Sequence, residues 1–138
     1  MESDIDFLYA LHVATMKDYV DKTWGWEDAF QESVFRKNYV PGKIQVLTFD
    51  GVDMGMLIIE ERPDDIFLRA IEVHPAYQGK GIATQIINQI IADGIQKRKP
   101  VRLQVLKVNP AKRLYERLGF SVAEETPTHY IMLTSGSK

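Results

Sequence analysis

At 138 residues, 45% hydrophobic and net charge −2, the chain has the length of one domain with a single core, and its charge gives no reason to expect a nucleic-acid partner. It has no cysteine, which excludes a disulfide framework, a thiolate metal site and a cysteine nucleophile, and His12, His74 and His129 lack metal-ligand spacing, so no metal is expected. No apolar run is long enough to cross a membrane and the sequence opens on the acidic Met1-Glu2-Ser3-Asp4, so the expectation is a soluble cytoplasmic protein with no membrane partner.

Ser3 or Asp4 is predicted to cap a first helix whose Ile5, Leu8, Tyr9, Leu11, His12, Thr15, Met16 and Tyr19 make a broad amphipathic face. Both tryptophans, Trp24 and Trp26, then flank Gly25, and a second helix is predicted over residues 27–37 with Phe30, Val34 and Phe35 apolar. Pro41-Gly42 breaks the chain. Three strands are predicted in residues 44–73: one at 44–49, a tight turn at Asp50-Gly51-Val52-Asp53, a second at 54–60 apolar enough for burial on both faces, a turn at Arg62-Pro63-Asp64-Asp65, and a third at 66–73. This is an antiparallel meander.

The meander leads into Val73-His74-Pro75-Ala76-Tyr77-Gln78-Gly79-Lys80-Gly81-Ile82-Ala83, and from there Ile82, Ile86, Ile87, Ile90, Ile91 and Ile95 recur with the period of a buried helix face ending near Lys97. The first turn of such a helix has unpaired N–H groups and the positive end of the helix dipole, so it suits an anion. Gly79 and Gly81 remove side chains where a phosphate would approach, and Lys80 adds a cation: a pyrophosphate cradle, although the same residues also satisfy an ordinary helix start. The nucleotide P-loop pattern is absent, and the dinucleotide pattern fails at its third glycine, where Thr84 stands. Residues 101–106 form a strand parallel to the one at 66–73, because a helix joins them. Asn109 before Pro110 reads as a helix cap, Tyr115 shares a helical stripe with Ala111, Leu114 and Leu118, and strands at 120–123 and 129–133 complete the sheet. One domain over residues 1–134 with a loose tail at 135–138 is expected.

Gln78-x-x-Gly81-x-Ala83 after a Val-x-Pro strand end resembles the acyl-CoA signature of the GCN5-related N-acetyltransferases (GNAT), and Asn109-Pro110-Ala111-Lys112-Arg113-Leu114-Tyr115-Glu116-Arg117-Leu118-Gly119-Phe120 is similar to that family's second segment. The resemblance runs over residues 55–133. It implies an α/β (α+β) GNAT acyl-CoA N-acyltransferase fold: a mixed, mostly antiparallel central sheet with one splayed parallel pair, flanked by about four helices. The splayed strands are those ending at Val73 and Leu106, with the CoA arm between them and the pantetheine amides on backbone groups of Ile71 and Val73. Gln78, Gly79, Lys80, Gly81, Ile82, Ala83 and Thr84 are then the pyrophosphate residues, and Asn109, Ala111, Arg113 and Tyr115 complete the CoA site. The Tyr115 hydroxyl is implied as the general acid for the leaving thiolate. Trp24 and Trp26, with His129, are implied on the amine side, where aromatic faces suit a cation; capping of the core accounts for the tryptophans equally well. The family's usual glutamate base has no counterpart at Gln104; Glu72 is the nearest acid to the cradle, with His74, His129 and a water relay as alternatives. The family usually has a short strand ahead of the first helix, and too few residues precede Asp4 to make it: either that strand is missing or the sequence begins after it.

The implied activity is direct acetyl transfer from acetyl-CoA to a primary amine of a small molecule or peptide, with no metal and no covalent intermediate, since cysteine is absent and no Ser–His pairing is evident. A nucleotide-binding enzyme using the same helix N-terminus, and an acyl-CoA-sensing domain without turnover, remain the alternatives. An exposed final strand would offer an edge for a homodimer.

Overall fold

The computed structural model describes residues 2–38 and 43–135. Along the chain come α1 (Glu2–Trp24), α2 (Asp28–Asn38), β1 (Gln45–Phe49), β2 (Val52–Glu61), β3 (Ile66–Val73), a 3-10 turn (Pro75–Tyr77), α3 (Ile82–Lys97), β4 (Val101–Leu106), α4 (Lys112–Arg117), β5 (Ser121–Glu125) and β6 (His129–Leu133). The six strands form one sheet in the order β1-β2-β3-β4-β6-β5. β3 and β4 are parallel, while β1 with β2, β4 with β6 and β5 with β6 are antiparallel. The predicted mixed sheet, its meander and its parallel pair are therefore present. The chain break at Pro41-Gly42 and the tail beyond Ser135 lie outside the described residues.

The chain forms two compact units. One comprises the described residues up to Ile58 together with Ala70–Lys80; the other comprises Ile59–Arg69 with the residues from Gly81 onward. In the first, Leu8 and Leu11 of α1 bury against Met56, with Phe7, Phe35, Ile44, Val46 and Ala70 around them. Full burial of each such side chain contributes about 1.5–3 kcal/mol. Ser3 and Asp4 lie inside α1 rather than capping it, and α1 continues to Trp24, beyond Tyr19 where the apolar pattern ended. It stops where Gly25 takes a left-handed φ of 83° and its N–H bonds the Asp21 carbonyl at 2.9 Å. Asp50 and Gly51 both have positive φ, the two-residue hairpin turn that puts Phe49 opposite Val52. Val52 and Asp53, expected in that turn, belong to β2.

In the second unit Ile66 and Leu68 of β3 are buried, as are Ile87, Ile90 and Gly94 of α3 and four residues of β4: Val101, Leu103, Val105 and Leu106. The parallel pairing sets Ile66 beside Val101 and Phe67 beside Arg102. Six isoleucines give α3 its inward stripe, and Gly94 lets it close on the segment that follows. β6, with buried Ile131 and Met132, lies between β4 and β5, so the outer strand is β5 and not the final strand of the sequence. Every residue of β5 is exposed, and its Glu124 and Glu125 are the kind of charge that protects a sheet edge.

A Cβ at Gly94 would lie 2.6 Å from the Lys99 carbonyl oxygen and 3.3 Å from Val101 Cγ2. Gly94→Ala is therefore expected to destabilise by about 1–3 kcal/mol, the overpacking range. That is opposite in sign to the gain of about 1 kcal/mol that alanine brings to an ordinary helix interior. Urea denaturation of both proteins decides it: an alanine variant as stable as the parent contradicts the close approach.

Candidate active site

The loop between β3 and α3 is held by its own side chains. His74 Nδ1 accepts the Ala76 N–H at 3.1 Å and caps the 3-10 turn, in which Pro75 stands first. Gln78 Nε2 donates to the Val73 carbonyl oxygen at 2.8 Å, so of the backbone groups expected near Ile71 and Val73 to meet a ligand, this oxygen is taken by the chain itself. Gly79 and Gly81 both have φ of 80°. Gly81 is the N-cap of α3, no side chain caps the helix, and its first turn holds no acidic residue. The N–H groups of Ile82, Ala83 and Thr84 thus begin a helix of sixteen residues without a side-chain acceptor among the described residues. A Cβ at Gly79 or Gly81 would touch none of the described residues, so the glycines are required by the left-handed backbone and not by crowding among them. Lys80 is exposed.

In the first unit Glu72 of β3 is buried with 7% of its surface exposed. Thr15 Oγ1 donates to its Oε1 at 2.6 Å, and His12 Nδ1 lies 3.0 Å from its Oε2. The His12 ring stacks on Phe35 at 5.3 Å and lies 6.3 Å from Trp26, while Tyr9 meets the other ring of this group, Phe35, at 5.5 Å. Trp26 Nε1 donates to Asp28 Oδ1 at 2.6 Å. Of the two tryptophans singled out in the sequence, Trp26 joins this aromatic group and Trp24 closes α1 with 59% of its surface exposed. Sequence reasoning gave His12 and Thr15 no role beyond the helix face. The signal was there: Leu8, Leu11, His12 and Thr15 fall on one helical stripe, and polar groups on an apolar stripe need a buried partner.

In the second unit Asn109 Oδ1 accepts the Ala111 N–H at 2.9 Å, and the Asn109 N–H bonds the Leu106 carbonyl at 2.9 Å. The regular helix starts only at Lys112 with Ala111 as N-cap, so Asn109 closes an Asx turn ahead of α4 instead of capping it directly. Tyr115 packs edge-on against Phe120 with ring centroids 5.9 Å apart, and burial pushes its hydroxyl pKa up, which keeps it protonated at neutral pH. Arg113 is exposed on the same short helix. His129 shares a 2.8 Å hydrogen bond between Nδ1 and Thr128 Oγ1, and burial lowers its pKa. Gln104 is exposed on β4. Among the described residues no group of His, Asp or Glu has the arrangement of a metal site, and no helix is long and apolar enough to cross a membrane.

A family model described as an acetyltransferase (GNAT) domain matches residues 41–122, more than half of the chain. The chain belongs to the GNAT acetyltransferase family. Membership makes it an acetyl-CoA-dependent N-acetyltransferase by class. No curated protein sequence matches it. Solved GNAT structures share its fold at low identity. The PaiA N-acetyltransferase of Thermoplasma acidophilum, a complex with coenzyme A, is 19% identical with TM-score 0.75, over 96% of this chain and 93% of that one. The ribosomal-protein-S18-alanine N-acetyltransferase of Escherichia coli is 22% identical with TM-score 0.69, over 100% and 91%. Ard1 of Thermoplasma volcanium is 17% identical with TM-score 0.68, over 96% and 91%.

The lowered pKa of His129 has a stability consequence of fixed sign. The unfolded chain, with an ordinary value near 6.5, binds the proton before the folded one does. The contribution is therefore complete above pH 6.5 and is lost as pH falls toward the folded value. Denaturation midpoints measured between about pH 7.5 and pH 5 should fall less steeply for His129→Gln than for the parent; equal slopes contradict the burial effect.

Proposed function

We propose that the protein transfers the acetyl group of acetyl-CoA directly to a primary amine of a small molecule or peptide. The observation that carries this is the uncapped start of α3 behind the left-handed Gly79 and Gly81, within a GNAT domain. Pyrophosphate oxygens supply the acceptors that the helix N-terminus lacks, so Gln78, Gly79, Lys80, Gly81, Ile82, Ala83 and Thr84 are the cradle. Asn109, Ala111 and Arg113, with backbone groups of Ile71 and Val73, are assigned to the rest of the CoA molecule. Trp24, Trp26 and His129 are assigned to the amine. Coenzyme A in the PaiA structure supports the choice of co-substrate.

The chemistry follows from pKa values. An alkyl ammonium with pKa ~10.4 is neutral in only about one molecule in 2,500 at pH 7, so a base must take its proton before attack. The amine then forms the C–N bond, the C–S bond breaks, the thiolate takes the proton of Tyr115, whose hydroxyl burial keeps protonated, and the second proton shed by the nitrogen as it becomes an amide returns to the phenolate. Glu72 is the acid of this chain assigned to the amine's proton. The test is thiol release from acetyl-CoA with a panel of amines: an alanyl peptide, a lysyl peptide, spermidine and phenethylamine. Tyr115→Phe is expected to lower kcat by about 10²–10⁴-fold with unchanged CoA affinity. Unchanged turnover removes Tyr115 as the acid, and a parent that binds CoA but releases thiol with no amine is a sensor.

A further inference from the structure

Glu72 is the buried charged side chain among the described residues, and its position is awkward for a base that must meet a substrate. Both of its oxygens are engaged, Oε1 by the Thr15 hydroxyl and Oε2 by His12. The imidazole is the more open partner, with 23% of its side chain exposed against 7% for the carboxylate. A carboxylate only accepts hydrogen bonds, so Nδ1 of His12 carries a proton, and the tautomer this selects for the uncharged ring has its lone pair on Nε2. No described side chain hydrogen-bonds Nε2. The ring plane is fixed by Phe35, nearly parallel at 29°, and by Trp26.

We propose that His12 is the general base for the acceptor amine, with Glu72 and Thr15 as positioning residues. This rests on the acetyltransferase reading and moves the base from the acid near the cradle to the histidine which that acid holds. In the step, an N–H bond of the ammonium breaks and its electron pair stays on nitrogen. The proton joins Nε2, and the resulting imidazolium is balanced by the Glu72 carboxylate at 3.0 Å. After transfer the imidazolium returns its proton to solvent. The aromatic faces of Trp26 and Phe35 favour a cationic acceptor beside the ring. The groups that face His12 are Glu72 from β3, Thr15 on its own helix, Phe35 from α2 and Trp26 from the loop, whose indole N–H is bonded to Asp28. As pH falls and Nε2 becomes protonated, the lone pair is lost and the rate falls with it.

His12→Asn separates a base from a structural clamp, because an asparagine amide nitrogen stands near the place of Nδ1 and still donates to Glu72 but has no basic atom. With the fastest amine of the panel, kcat/KM is expected to fall by about 10²–10⁴-fold and the acid limb of its pH profile to disappear. CoA affinity and the unfolding midpoint should stay those of the parent. Activity within about threefold of the parent, a retained acid limb, or a loss that tracks CoA affinity or stability overturns the proposal. The parent alone gives a second measurement: the acid limb of kcat/KM must coincide with the His12 titration followed by NMR, and a mismatch also overturns it. A parent that releases thiol with no amine contradicts the acetyltransferase reading itself, and the role of His12 falls with it.

Discussion

The left-handed backbone at Gly79 and Gly81 is the constraint on which the account turns. Between Val73 and Ile82 the chain must leave a strand, make a 3-10 turn and begin a helix of sixteen residues. A side chain at φ near 80° costs roughly 1–2 kcal/mol, so glycine at both places lets the turn form without that penalty. Among the described residues nothing fills the space where their Cβ atoms would stand, and no side chain caps the helix. The same two residues therefore do two jobs. They permit the turn, and they leave the helix's own N–H groups available to an anion.

Much of this was legible in the sequence because it is carried by local rules. Six isoleucines at helical spacing mark α3, and Asp50-Gly51 marks a hairpin. The parallel pairing of β3 and β4 follows from the helix between them. Two motifs far apart in the chain identified the family over residues 55–133, and the family model agrees over 41–122. What was not legible depends on partners remote in sequence. His12 and Glu72 are sixty residues apart, and nothing near either one announces the other. The end of α1 was missed because Asp21, Lys22 and Thr23 are polar; the helix stops only where Gly25 reverses it. The order of the last two strands was hidden for a similar reason. β6 carries the buried Ile131 and Met132 and so takes the interior place, while the exposed, acidic β5 takes the edge.

Burial is met differently at Tyr115 and at Glu72. Tyr115 is raised by burial alone, which suits a proton donor. Glu72 is buried as well, but a threonine hydroxyl and an imidazole satisfy it, because an unpaired carboxylate in such a place would cost several kcal/mol. In the proposed reaction the first device keeps the phenol protonated until the thiolate forms. The second fixes the orientation of a histidine on a helix otherwise occupied with packing Leu8 and Leu11.

The central claim is that the start of α3 binds the pyrophosphate of acetyl-CoA. The direct measurement is the thermal and calorimetric titration of the parent and Gly81→Glu with acetyl-CoA, CoA and ATP. The account predicts that both CoA species stabilise the parent, by about 2.7 kcal/mol at a hundredfold excess over Kd, and that ATP does not. It also predicts that Gly81→Glu folds but loses the response. A parent that no CoA species stabilises, or that ATP stabilises equally, contradicts it.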